Sequence, residues 1–307
     1  MSMEKIVRKS VRIANALINF CVLVAIMLLL AFGTYAIWDS GQVHSAASSE
    51  NYAMYRPSGD EENDSFEELQ AINPDVFGWL TVYGTNIDYP IVQGQDNIRY
   101  VNTDARGRHA LSGAIFLDAR SSPNFADFSS IVYGHHMENN VMFGEIGLFT
   151  SRDYFEARRY GMLYFDGNEH GLEFFAFVHA DAYDTTVFRA RITEQDDQQE
   201  YLDMLLDTAM HVREDVSVTT NDRIVLLSTC TPNTTNGRDI LIAKITNDVQ
   251  SDPFWREVAD TLITIPGIDA ISNQWVKISI LAIALILILI VVIIIICKKR
   301  KRGDGPC

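Results

Sequence analysis

Cys230 closes the apolar run "RIVLLSTC" (223–230), and Arg238 follows it in "TPNTTNGRD". A thiol becomes a strong nucleophile when it is ionised or paired with a base. The same residue could also be a small buried hydrophobe, and the residue type alone leaves both readings open. Bases are at hand in "SSIVYGHH" (129–136), a second apolar run that turns at a glycine and ends in His135 and His136. Two strand ends of one sheet can face each other, so either histidine could serve the thiol. A guanidinium such as Arg238 can hold a developing oxyanion or a substrate carbonyl; it could equally pair with a neighbouring acid such as Asp239. Zinc would need three or four converging ligands, and "GHH" has no HExxH or CxxC companion. A serine hydrolase of the Gly-x-Ser-x-Gly type has no matching motif here.

The elements that must position these residues are short strands. "GWLTVYG", "IDYPIVQ", "SGAIFLD" and "SSIVYGHH" are β-branched or aromatic runs punctuated by Gly, Pro and Asn. "GMLYFDG" and "LEFFAFVHADAYD" read as two strands joined through "GNEH". "SFEELQAINP" starts a short helix that Pro74 stops, and "MFGEIGLFTSRDYFEARR" reads as helical or irregular. Residues 192–213 carry a sparse apolar stripe at helical spacing, Tyr201, Met204, Leu205 and Met210. "RIVLLSTC" and "DILIAKI" are the final strands. The expectation is a mainly β domain of seven or eight strands with inserted helices.

Two further segments sit outside this domain. Residues 13–38 and 277–297 are apolar and long enough to cross a hydrocarbon core of about 30 Å as helices. Basic residues flank both: Lys5, Arg8, Lys9 and Arg12 before the first, "KKRKR" after the second. The positive-inside rule then puts both termini in the cytoplasm and the intervening domain outside. The first segment is longer than a signal-peptide core, which favours an uncleaved anchor. The expected division is a cytoplasmic basic segment (1–12), an anchor (13–38), an extracellular stalk (39–64), a catalytic domain (65–250), a juxtamembrane segment (251–276), a second transmembrane helix (277–297) and a basic cytoplasmic tail (298–307).

Charge and cysteine usage narrow the function. Ten of the 25 Lys and Arg lie in or beside the two anchors, against two of the 40 Asp and Glu, leaving 38 acidic and 15 basic side chains elsewhere. That excess of acid argues against nucleic acid as a partner. Cys21 and Cys297 belong to the apolar segments and Cys307 ends the chain. Cys230 is thus the single outer cysteine and the outer domain has no internal disulfide, which fits a Gram-positive surface.

The motifs "LLSTC", "YGHH" followed by "MFG", and "GRDILIAKI" resemble those of the sortases, specifically class B. "NPDVFGWLTVYGTNIDYPIVQ" is similar to that family's opening helix and first strands, and so is the helix expected before the last strands. The resemblance covers about residues 66–246. It implies an eight-stranded β-barrel with an N-terminal helix and a long helix before the last strands. It also implies a membrane-bound cysteine transpeptidase that cuts a sorting motif in an exported protein and joins the acyl end to an amine of the cell wall or of a pilin. By the same resemblance Cys230 is the nucleophile, His135 the general acid/base and Arg238 the oxyanion or substrate stabiliser. Ser228, Thr229 and Tyr133 would contact substrate, and no cofactor or metal is implied. Two features depart from the family. "CTPN" lacks the acid that some class B members carry just after the cysteine. A second anchor is more familiar in class C, whose lid letters "DPF" occur here at 252–254; they follow the barrel, and we read them as coincidence.

Overall fold

A computed structural model of the chain describes residues 3–57, 64–232 and 234–254. The expected second anchor at 277–297 and the basic tail lie outside the described residues.

Among the described residues nine strands form one sheet: β1 (Val76–Val82), β2 (Asp88–Val92), β3 (Ile115–Leu117), β4 (Ser129–Tyr133), β5 (Tyr160–Phe165), β6 (Asn168–Asp181), β7 (Ala209–Val212), β8 (Arg223–Cys230) and β9 (Gly237–Thr246). Their order is β5-β1-β2-β3-β4-β8-β9-β6-β7, and β5 also pairs with β6. That last pairing closes eight strands into a barrel, and β7 hangs from the outer half of β6. Closure removes the sheet's open edges except along the second half of β6, which β5 does not reach.

β6 is long enough to do both jobs. Its first half pairs with β5 and its second half with β7, while β9 runs along nearly all of it. The β5–β6 turn is not "GNEH" but the two residues Asp166 (φ 49°) and Gly167 (φ 74°). Phe165 pairs directly with Asn168. Two positive φ angles in a two-residue loop suit the twist of the flanking strands, and Asp-Gly is well adapted to them.

The apolar runs of β8 and β9 are buried on both faces. Val225, Leu227, Leu241 and Ala243 point into the barrel core with Trp79, Leu163 and Phe174. Ile224, Leu226, Ile240 and Ile242 face an outer layer closed by Tyr201, Leu202 and Leu205 of helix α4. Strands covered on both sides need apolar residues at every position, which is why neither run alternates.

Helix α1 spans Met3–Ala47, α2 spans Asp64–Ile72, α3 spans Arg152–Ala157 and α4 spans Gln195–Thr208. Two expectations change here. The helix expected over 192–213 ends at Thr208, and the next four residues become β7 because the free edge of β6 offers backbone partners, Phe177 to His211 and Ala176 to Val212. The segment read as a stalk from residue 39 is ordered in its first part. α1 continues to Ala47, and Ala47, Tyr52 and Tyr55 are buried in the barrel's main cluster. Polar, aperiodic sequence hid these three anchoring side chains. Among the described residues α1 is the one helix long and apolar enough to cross a membrane, by length and composition, with a mean hydropathy of 2.7 in its most apolar window.

Candidate active site

β4 and β8 are parallel neighbours, with Tyr133 beside Ser228. Both strands therefore end at the same rim of the barrel. The ladder persists one step beyond the strand, where the Gly134 N–H donates to the Ser228 carbonyl at 3.1 Å. Continued for one more residue, that register brings His135 level with Cys230. On the other side β9 runs antiparallel to β8 and pairs Arg238 directly with Cys230. Cross-strand partners share a face, so three adjacent strands present His135, Cys230 and Arg238 side by side.

All three line one open cleft of about 450 Å³, with Asn97, Val101, Phe116, Arg120, Tyr133, Phe188, Ser228 and Thr229. Cys230 is exposed and free, so the buried, inert alternative is set aside. The His135 ring bonds the Val101 carbonyl through Nε2 at 2.8 Å. A carbonyl only accepts, so Nε2 carries the hydrogen and Nδ1 is left to exchange a proton. Arg238 donates to the Gly237 carbonyl at 3.1 Å and makes no ion pair among the described residues. Asp239, the acid that could have neutralised it, is buried on the opposite face of β9 and is held by His179 Nδ1 at 2.9 Å. Ser228 and Thr229 are both buried, and neither hydroxyl has a hydrogen-bond partner among the described residues.

His136 lies elsewhere. It pairs with Met142 in an isolated bridge, and its Nδ1 is buried without a partner. It is not among the residues that line the cleft.

The sequence missed the floor of the cleft. Asp118 follows β3 directly with its side chain wholly buried, and Arg120 binds it with two nitrogens at 2.9 and 2.8 Å. Asn97 adds a hydrogen bond at 3.0 Å and the Tyr133 hydroxyl another at 3.1 Å. Burial pushes the Asp118 carboxyl up, but the Arg120 side chain and backbone more than offset this and hold it below the usual carboxylate range. Burial and the adjacent Asp118 charge push the Tyr133 hydroxyl well above its ordinary value, so Tyr133 stays a protonated donor. Nothing in "LDARS" distinguishes this hub from a surface ion pair. The "DPF" segment packs elsewhere: the Phe254 ring lies against Gly84 and 5.4 Å from the Arg158 guanidinium, neither of them a cleft residue. Among the described residues no three His, Cys, Asp or Glu side chains converge as metal ligands do.

Residues 80–246 match the model of the sortase domain. The chain belongs to the sortase family, in class B. Sortase B of Staphylococcus aureus is 34% identical over 189 residues, covering 59% of this chain and 74% of that protein. Sortase B from the type II pilus of Streptococcus pneumoniae is 50% identical, with a TM-score of 0.53 over 60% of this chain and 99% of that one. A Streptococcus pyogenes class B sortase involved in pilus biogenesis is 39% identical, with a TM-score of 0.54 over 59% of this chain and 97% of that one. The family makes this sortase a cysteine transpeptidase on an eight-stranded barrel with an N-terminal helix, and its apolar α1 could anchor it in a membrane.

Proposed function

We propose that this sortase cleaves the sorting motif of an exported protein at Cys230 and transfers the acyl end to an amine, with both chain termini cytoplasmic and the barrel outside. The observation that carries the reading is the strand-end juxtaposition of a free, exposed Cys230 with His135 on one side and Arg238 on the other. The Cys230 thiolate attacks the scissile carbonyl, and the Arg238 guanidinium stabilises the oxyanion of the tetrahedral intermediate. The carbon–nitrogen bond breaks as protonated His135 gives its proton to the leaving amine. The acyl group is then held as a thioester. An incoming amine attacks it, His135 takes that amine's proton, and the Cys230 sulfur leaves to complete the new amide. Ser228, Thr229 and Tyr133 line the acyl side of the cleft and position the peptide.

A pilin lysine is the acceptor we favour over a wall peptide. The two pilus sortases, at 50% and 39% identity, support this choice. The test is mass spectrometry of products from candidate motif peptides incubated with a lysine-bearing pilin domain or with wall-type peptide amines. A peptide–pilin amide formed by the wild type and absent with Cys230→Ala is the expected product. Free cleaved acid with every amine offered would instead make the protein a hydrolytic cysteine protease, and amides with wall peptides alone would move it to wall anchoring.

A further inference from the structure

The loop that follows His135 is strained. Asn139 (φ 60°), Asn140 (φ 58°) and Met142 (φ 54°) all occupy the left-handed region that side chains avoid. Such conformations persist only where surrounding contacts over-determine them. Within the loop, the Phe143 N–H donates to the His135 carbonyl at 3.0 Å, and Met142 bridges to His136. One support comes from outside the loop. The Met142 N–H donates to the Tyr89 hydroxyl at 2.9 Å, and that hydroxyl donates its own hydrogen to the Ala47 carbonyl at 3.0 Å. Ala47 is the last residue of the anchor helix α1. Tyr89 and Ala47 are both buried. Ser48, Ser49 and Glu50, just past the anchor, share a surface cleft with Asn139, Asn140 and Val141.

We propose that Tyr89 is a positioning residue that ties the end of the membrane anchor to the histidine loop, so that docking of α1 on the barrel holds His135 in register with Cys230. The inference rests on His135 being the acid/base. Burial pushes the Tyr89 hydroxyl up to about 12, so it keeps the hydrogen it gives to Ala47 at every working pH. One hydroxyl serves both partners, and the ring itself touches neither the thiol nor the cleft.

The test uses the full chain in detergent, with iodoacetamide alkylation read at Cys230 by peptide mass spectrometry, apart from Cys21, Cys297 and Cys307, so that no sorting motif is needed. Tyr89→Phe keeps the ring and removes both hydrogen bonds. Tyr52→Phe, in the same joint but without a bond to the loop, is the control. Expected for Tyr89→Phe are alkylation at neutral pH slower by about tenfold and a pH–rate inflection moved by about half a unit. Arg120 and Arg238, the other charged groups that line the cleft, and Asp118 paired with Arg120 are untouched by the substitution. Tyr52→Phe should match the wild type. Hydrogen exchange reads the loop without chemistry: in Tyr89→Phe the amides of Met142 and Phe143 should exchange at least about tenfold faster. Unchanged exchange at these amides would overturn the proposal whatever His135 does. Faster exchange with an unchanged alkylation profile would overturn its functional half, provided His135→Ala abolishes the inflection. If His135→Ala leaves the inflection in place, the acid/base assignment fails and the coupling to chemistry falls with it, distinguishably from a failure at Tyr89. Should Tyr89→Phe not fold, the wild type still decides. Its Met142 amide must be protected like those of Ala46 and Ala47, and exchange as fast as Asn139 and Asn140 would refute the tie.

Discussion

His135 and His136 are chain neighbours with different surroundings. His135 lines the cleft and is oriented by the Val101 carbonyl; His136 is bridged to Met142 and absent from the cleft lining. His135→Ala is therefore expected to lower kcat/KM by about 2–4 orders of magnitude, the usual effect of removing a general acid/base. His136→Ala should cost about tenfold or less, through local packing. Both would be assayed with one motif peptide and saturating amine after circular dichroism shows a native fold. The reverse ranking would mean that the histidines have exchanged roles. Asp118 makes a prediction of a different kind. Its folded-state carboxyl is held down by Arg120, so the stability it adds is fully present above the ordinary carboxylate range, begins to be lost as pH falls through that range and is gone below its lowered folded-state value. The wild-type Tm should fall below about pH 4, the unperturbed carboxylate region. Asp118→Asn should be less stable at pH 7 by about 1–3 kcal/mol, since its hydrogen bonds to a charged partner are weakened. Its Tm should also decline less steeply in acid, and parallel Tm–pH curves for the two proteins would remove Asp118 from the account.

At the scale of elements, the rim of the barrel depends on a close approach at the β4 exit. A Cβ on Gly134 would lie 2.6 Å from the Ile115 side chain and 2.7 Å from the Phe143 ring, closer than such atoms approach. Phe143 belongs to the same loop as His135. Gly134→Ala should cost about 1–3 kcal/mol, as overpacking does, and it should slow turnover because the ring that must retreat is hydrogen-bonded through its backbone to His135. Denaturant unfolding and kinetics on the same sample would check both. A fully stable, fully active variant would show that the loop has slack the structure does not suggest. α4 makes the opposite case. It covers the outer face of β8 and β9, and of its sequence stripe Tyr201 and Leu205 are buried there with Met204 packed beside them.

For the whole molecule, α1 is 45 residues long, or about 68 Å at 1.5 Å per residue, whereas a bilayer core takes about 30 Å. The helix is therefore long enough to cross a membrane with length to spare, and it runs without a break to buried Ala47 at the barrel. Topology is the matching prediction. Protease added outside intact cells should remove an epitope placed at residue 60 and spare one placed at residue 305. Loss of the second epitope would place the C-terminus outside and dismiss the two-anchor arrangement.

The sequence by itself determined the family and the residues bet on for chemistry. Strand-end motifs keep their letters together: Cys230 closes β8, His135 follows β4 after one glycine, and Arg238 is the second residue of β9. Residue type and local spacing suffice to read these. It also determined most strands, because β-branched runs bounded by Gly, Pro and Asn have few other uses. Tertiary structure alone decided which strands neighbour which, and hence that His135 and Arg238 flank Cys230 although 95 residues separate one from it and eight the other. Parallel pairing of β4 with β8 is a long-range choice that leaves no local trace. The same holds for Asp118, whose burial comes from the barrel closing around β3. It holds for β7, which is a strand because β6 had an edge to offer. It holds again for Tyr52 and Tyr55, which an aperiodic polar segment carries into the core because the end of α1 delivers them there.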